Sequence, residues 1–170
     1  MEIEDAKLKD YINNKKILVI GNSPRKELLT NNYFEDIDII VRFNTGIEEG
    51  YADIWCAFGM FSTFRIKPYI KNDYKYAVQL QDFHNPIIPR LVLLPSYIRS
   101  LMQKELKADK IFSGTMFLYY LIYYCSPKEI QIIGFNSQRY ENKVDVHTQY
   151  KHIDDLWIQQ QLKKCNLIGL

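Results

Sequence analysis

Only three cysteines occur in the 170-residue chain, Cys56, Cys125 and Cys165. An odd number with no C-x-x-C spacing argues against a disulfide framework or a zinc site and fits a reducing compartment. Charge of one sign is not in excess either. Lys+Arg is 22 and Asp+Glu is 20, a formal net charge of +2. That balance leaves no electrostatic footprint for nucleic acid or a membrane surface. Long hydrophobic runs are missing: the longest, Met116 to Cys125, includes Tyr119, Tyr120, Tyr123 and Tyr124 and is too short to span a bilayer. Met1 to Lys16 is charged and lacks the apolar core of a signal peptide. The chain as given is therefore expected to have no transmembrane segment and to be cytoplasmic. Neither G-x-G-x-x-G nor G-x-x-x-x-G-K-[ST] occurs, so neither a dinucleotide fingerprint nor a P-loop is supported. There is no H-E-x-x-H, and His147 and His152 stand five apart, which is not the helical zinc spacing.

What is present reads as one globular domain over residues 1–170, with 47% hydrophobic and 25% charged residues. Residues 2–14 predict a charged first helix. Ile17 to Ile20 is a short β-branched run, the pattern of a strand covered on both faces. Ser23-Pro24 before Arg-Lys-Glu-Leu-Leu reads as an N-cap serine with proline at the first helical position. Further strands are expected at Ile37–Asn44, Ala52–Gly59, Lys75–Leu80, Arg90–Pro95 and Glu129–Phe135. Helices are expected at Ser96–Lys107 and, by length, Phe112–Cys125. A last helix is expected from His152 toward the C-terminus. Strands alternating with helices predict an α/β fold: a single Rossmann-like domain, its mostly parallel sheet flanked by helices on both faces.

In such sheets ligands lie beyond the carboxyl ends of the strands. The polar residues that interrupt apolar runs fall there: Gly21-Asn22-Ser23, Asn44, and Gly134-Phe135-Asn136. Asn22 offers donors and an acceptor for a phosphate oxygen or a base edge, but asparagine also serves simply as a turn residue. Ser113-Gly114-Thr115 stands where a buried helix would begin. Free amides, two hydroxyls and a glycine there suit an anion, or make an ordinary cap. His147, His152 and His84 each can be a general base or a surface residue.

Taken in order, these pieces resemble the sialyltransferases. The eukaryotic-type family carries a large motif, V-x-G-N-S followed after a spacer by D-x-V-x-R-x-N. This chain has "VIGNSP" (Val19 to Pro24) and "IDIIVRFNTG" (Ile37 to Gly46). The family's small motif runs from P-S-T-G-M through an apolar helix to a strand ending Y-G-F. Here "FSGTMFLYYLIYYC" leads to "EIQIIGFN", and His147 fills the place of the late histidine. Bacterial lipooligosaccharide sialyltransferases are similar, with G-N-G-P, R-x-N, S-G-x-x-M and a late histidine. The match touches most of the chain between residues 17 and 165.

The resemblance implies a CMP-sugar donor, CMP-sialic acid, and a glycan acceptor, with inversion and with no cofactor or required metal. It implies that Asn22, Ser23 and Asn44 contact the nucleotide and phosphate, and that Ser113, Gly114 and Thr115 hold the CMP. His147 matches the family's catalytic base, with His152 the competitor. Tyr140 and Arg139 stand where they would donate to the leaving phosphate. The chain departs from the pattern in three ways. It lacks the cysteines that join the two motifs in vertebrate enzymes. It is much shorter than most members. It reads Ser-Gly-Thr-Met where the family has Ser-Thr-Gly-Met. The rival expectation is a nucleotide-binding or interaction protein that keeps the scaffold and has lost transfer. The residues carry no signal of oligomeric state.

Overall fold

The structure, a computed structural model, describes residues 5–21, 36–58, 66–70, 73–80, 86–107, 111–135, 157–158, 160–161 and 167–169. Its frame is a seven-stranded sheet. The strands are β1 (Lys16–Ile20), β2 (Ile39–Phe43), β3 (Ile54–Cys56), β4 (Tyr76–Leu80), β5 (Leu91–Leu94), β6 (Glu129–Ile133) and β7 (Leu167–Gly169). Their order across the sheet is β5-β4-β3-β2-β1-β6-β7, and every pairing is parallel. The expected α/β parallel architecture is present.

The apolar runs explain the order. Ile17 to Ile20 of β1 are all buried, as a strand must be when it has a neighbour on each side and cover on each face. In β1 and β2 the side chains alternate between the faces. Ile17, Val19, Ile39, Val41 and Phe43 join the larger core, while Leu18 and Ile20 join Ile133 on the reverse. The period of two fixes register, because a slip of one residue would exchange the two sets.

Helices cover the larger core. Helix α1 (Asp5–Ile12) buries Leu8 and Ile12, four apart and so on one face. Helix α2 (Tyr97–Leu106) buries Ile98 and Met102 in the same way, and ends at Lys107 in a left-handed cap (φ 51°). Helix α3 (Ser113–Tyr124) buries every residue from Thr115 to Leu121, including Tyr119 and Tyr120, while Tyr123 is exposed. Of its four tyrosines, Tyr119 and Tyr120 are thus core, Tyr124 packs half-buried against it, and Tyr123 faces solvent. Trp157 and Ile158 complete this layer. On the reverse face Trp55, Ala57, Ala77 and Leu91 pack with Ile47, Ile66, Tyr74 and Ile88.

One expectation is corrected. The last helix does not run through to the C-terminus: residues 157–158 and 160–161 are helical, but Leu167–Gly169 is β7, paired parallel with Ile130–Ile132 of β6. An open edge on β6 offers unpaired backbone groups, and pairing them outweighs continuation of a short amphipathic pattern.

Candidate functional site

Strand order reverses between β1 and β6: from β1 the chain proceeds to β2 on one side, while β6 lies on the other. Such a switch point opens a crevice at the carboxyl ends of its strands. At this place the backbones come unusually close. The Gly21 amide donates to the Ile133 carbonyl at 2.8 Å. A Cβ placed on Gly21 would meet the Gly134 oxygen at 2.3 Å, and one on Gly134 would meet the Gly21 oxygen at 2.7 Å. Gly134 also has φ +73°, a region that favours glycine. These two glycines therefore let β1 and β6 end side by side with no side chain between them.

The start of α3 reaches the same spot. A Cβ on Gly114 would stand 2.5 Å from the ring of Phe135, and one on Gly21 would stand 3.1 Å from it. Phe43, the last residue of β2, meets Phe135 edge-on at 6.1 Å and Phe117 of α3 at 6.3 Å. The ends of β1, β2 and β6 and the first turn of α3 are thus joined through Phe43 and Phe135.

Phe112 occupies the N-cap with extended backbone and no side-chain hydrogen bond, and the first turn holds no acidic residue. Met116 N donates to Phe112 O at 3.0 Å, the first bond of the helix. No serine or threonine caps it, so Ser113, Gly114 and Thr115 form the first turn itself. Helix amides at such an end carry a partial positive charge and suit an anion. Thr115 is only 1% exposed, while Ser113 and Gly114 are half-buried. Of this turn, the side chain nearest solvent is that of Ser113, not that of Thr115.

Asn44 lies beyond β2, first in a 3-10 turn (Asn44–Glu49). Its φ is +46°, which asparagine tolerates better than most residues. Its carbonyl accepts a hydrogen bond from Trp55 Nε1 at 2.9 Å. Arg42, a charged residue in an otherwise apolar strand, is 5% exposed. Its Nε donates to the Tyr51 carbonyl at 3.0 Å, and Nη1 reaches the Gly46 carbonyl at 3.5 Å and the Glu49 carboxylate at 3.9 Å. Burial lowers its pKa, and the Glu49 charge partly offsets that.

Of the residues expected at a site, the structure brings Asn44, Ser113, Gly114 and Thr115 to one edge of the sheet. Asn22, Ser23, Arg139, Tyr140, His147 and His152 lie outside the described residues, as does His84. Gly21, immediately before Asn22, is at this edge. The motif comparison included Arg42 but gave it no role, and sequence reasoning missed Trp55 and the Phe43–Phe135 contact. A lone arginine inside Ile39–Phe43 was a usable signal, since a buried strand accepts a charge only with partners. A separate cavity lined by Leu121, Ile122, Cys125, Ser126, Pro127, Glu129 and Ile130 sits at the opposite edge, where β6 begins.

No protein-family model and no curated protein matches this chain. Solved structures do. A mammalian sialyltransferase, crystallised in complex with Gal-beta-1-3GalNAc-ortho-nitrophenol, superposes with a TM-score of 0.64 at 11% identity, over 95% of this chain and 71% of that one. A point mutant of the bacterial alpha-2,3/8-sialyltransferase CstII superposes with a TM-score of 0.59 at 15% identity, over 92% of this chain and 81% of that one. The chain has a sialyltransferase-like fold.

Proposed function

We infer that the protein is a sialyltransferase that moves sialic acid, or a related sugar, from a CMP-activated donor to a glycan hydroxyl, inverting the anomeric centre without a required metal. The observation that supports this reading is the meeting of Gly21, Gly134, Phe43 at the end of β2 and the first turn of α3 at the switch point, with Asn44 next in the chain after Phe43. In this fold that is where a nucleotide-sugar phosphate has amides to meet it. The donor specificity rests on the motif resemblance, with the solved sialyltransferases supporting the scaffold.

In the proposed reaction the acceptor oxygen attacks the anomeric carbon and its proton passes to the His147 imidazole. The bond from that carbon to the phosphate oxygen breaks, and its electron pair leaves with CMP. Amides of Ser113, Gly114 and Thr115, with the Ser113 hydroxyl, would stabilise the growing charge on that oxygen. Asn22, Ser23 and Asn44 would hold the nucleotide, and Tyr140 would donate to the departing phosphate. An imidazole suits the base role because its ordinary pKa lies near neutrality.

The test is release of CMP from CMP-sialic acid, measured with and without a panel of acceptor sugars. The reading predicts release that depends on an acceptor and is lost in His147→Ala, while CMP binding persists. Tight binding of the donor with no acceptor-dependent release would instead identify a binding protein on the same scaffold.

A further inference from the structure

A buried arginine two positions before a candidate ligand residue raises the question of what its charge holds. Arg42 sits on the reverse face of β2, away from α3. A guanidinium taken out of water is tolerated only where its donors meet fixed acceptors. Among the described residues its partners belong to one short segment: the carbonyls of Gly46 and Tyr51 accept from it, and the Glu49 carboxylate is an ion-pair partner at 3.9 Å. A Cβ on Gly50 would lie 3.1 Å from Nη2, so the segment closes tightly round the guanidinium. At the other end of the turn, Trp55 Nε1 holds the Asn44 carbonyl from β3. Beyond the turn, the Tyr51 hydroxyl donates to Asp53 Oδ1 at 2.8 Å, while Asp53 Oδ2 accepts from the Ile40 amide at 2.9 Å. The segment from Asn44 to Tyr51 is held at both ends and at its centre, and among the described residues Arg42 gathers the centre.

We propose that Arg42 is a positioning residue that, together with the Trp55 indole, clamps the Asn44–Tyr51 turn so that Asn44 keeps its left-handed backbone and presents its side-chain amide to the donor's nucleotide. A planar fork serves this purpose better than an ammonium, because it reaches several acceptors at fixed angles. The ligand half of the proposal rests on the reading that Asn44 meets the nucleotide; the clamp half does not.

The experiment has two readouts. Hydrogen exchange of the Trp55 indole N–H, followed by NMR on the ligand-free protein, reports whether the turn stays closed. In Arg42→Met it speeds up by about tenfold or more relative to the wild type, while amides of β1 are unchanged. Arg42→Lys, which keeps the charge and fewer contacts, falls between and guards against a Met variant that does not fold. CMP affinity is then measured by calorimetry for wild type, Arg42→Met, Asn44→Ala and the double variant. Each single change weakens CMP by about tenfold or more, and the double is no weaker than Asn44→Ala alone.

Losses that multiply in the double variant, or unchanged CMP affinity in Arg42→Met, would overturn the positioning role. Unchanged indole exchange in both Arg42 variants would overturn the clamp. A wild type that binds CMP with an Asn44→Ala variant that binds equally well would refute the reading of Asn44, leaving the exchange result to decide the clamp separately.

Discussion

Gly114→Ala should destabilise this protein, although the same exchange inside a helix ordinarily stabilises it. Alanine gains up to about 1 kcal/mol over glycine in a helix interior, and less in a first turn. Here the added methyl would lie 2.5 Å from the Phe135 ring. Carbon atoms rest at about 3.5–4.0 Å, so the overlap is about 1 Å. The ring has little room to retreat, with Phe43 edge-on at 6.1 Å and the Gly21 backbone on its other side. Overpacking of this kind costs about 1–3 kcal/mol. The net loss should be about 1–2 kcal/mol, or about 2–8 °C in Tm for a chain of this size. Removing the ring should reverse the sign. In a Phe135→Ala background, Gly114→Ala becomes neutral or slightly stabilising, a coupling of about 2 kcal/mol. Urea unfolding of the four proteins measures this directly. Additive effects, within about 0.5 kcal/mol, would refute the packing of α3 against the end of β6.

Three further outcomes follow from the same geometry. The Tyr74 hydroxyl is buried with no hydrogen-bond partner among the described residues, so Tyr74→Phe should hold stability or raise it by about 1 kcal/mol in thermal unfolding; a loss of that size would reveal a partner. Burial pushes the Tyr74 and Tyr119 phenols up to about 12. A raised folded value means that the native state keeps protons the unfolded chain loses, so this contribution is intact below about pH 10 and fades as pH rises toward 12. Urea midpoints across that window should fall, and less steeply in Tyr74→Phe; a flat profile contradicts the burial. Burial likewise raises the Cys125 thiol to about 12 and that of Cys56 well above its usual value. Both should resist alkylation at pH 8 in the folded protein, as read by peptide mass mapping, and react once it is unfolded.

The strands were legible because their apolar runs are short and bounded. Ile17–Ile20 read as a doubly covered strand, and β2 to β6 lie inside the runs that predict them, shortened by up to three residues at an end. Phe112–Cys125 was ambiguous in composition, and its length decided it correctly. The C-terminal residues misled because β7 is three residues long, and so short a strand leaves no period to read. It exists because β6 has an edge to pair, which is a tertiary fact. At the site, the strand-end asparagine and the Ser-Gly-Thr turn were visible as polar residues out of place. The reason for the glycine at 114 was not, since it depends on a ring 21 positions away. No role for Arg42 could be read from the R-x-N pattern for a related reason: the Gly46 and Tyr51 groups that accept from it are backbone carbonyls, which every residue carries and no sequence distinguishes.

The central claim is that the carboxyl ends of β1, β2 and β6 and the first turn of α3 form a seat for a nucleotide phosphate. A crystal structure of the CMP complex tests it most directly. The account predicts a phosphate oxygen within hydrogen-bonding distance, about 3 Å, of amides in Ser113–Thr115, with the Asn44 side chain touching the same nucleotide. CMP seated elsewhere, in the cavity beside Cys125 for example, or a phosphate with no contact to that helix turn, would contradict it.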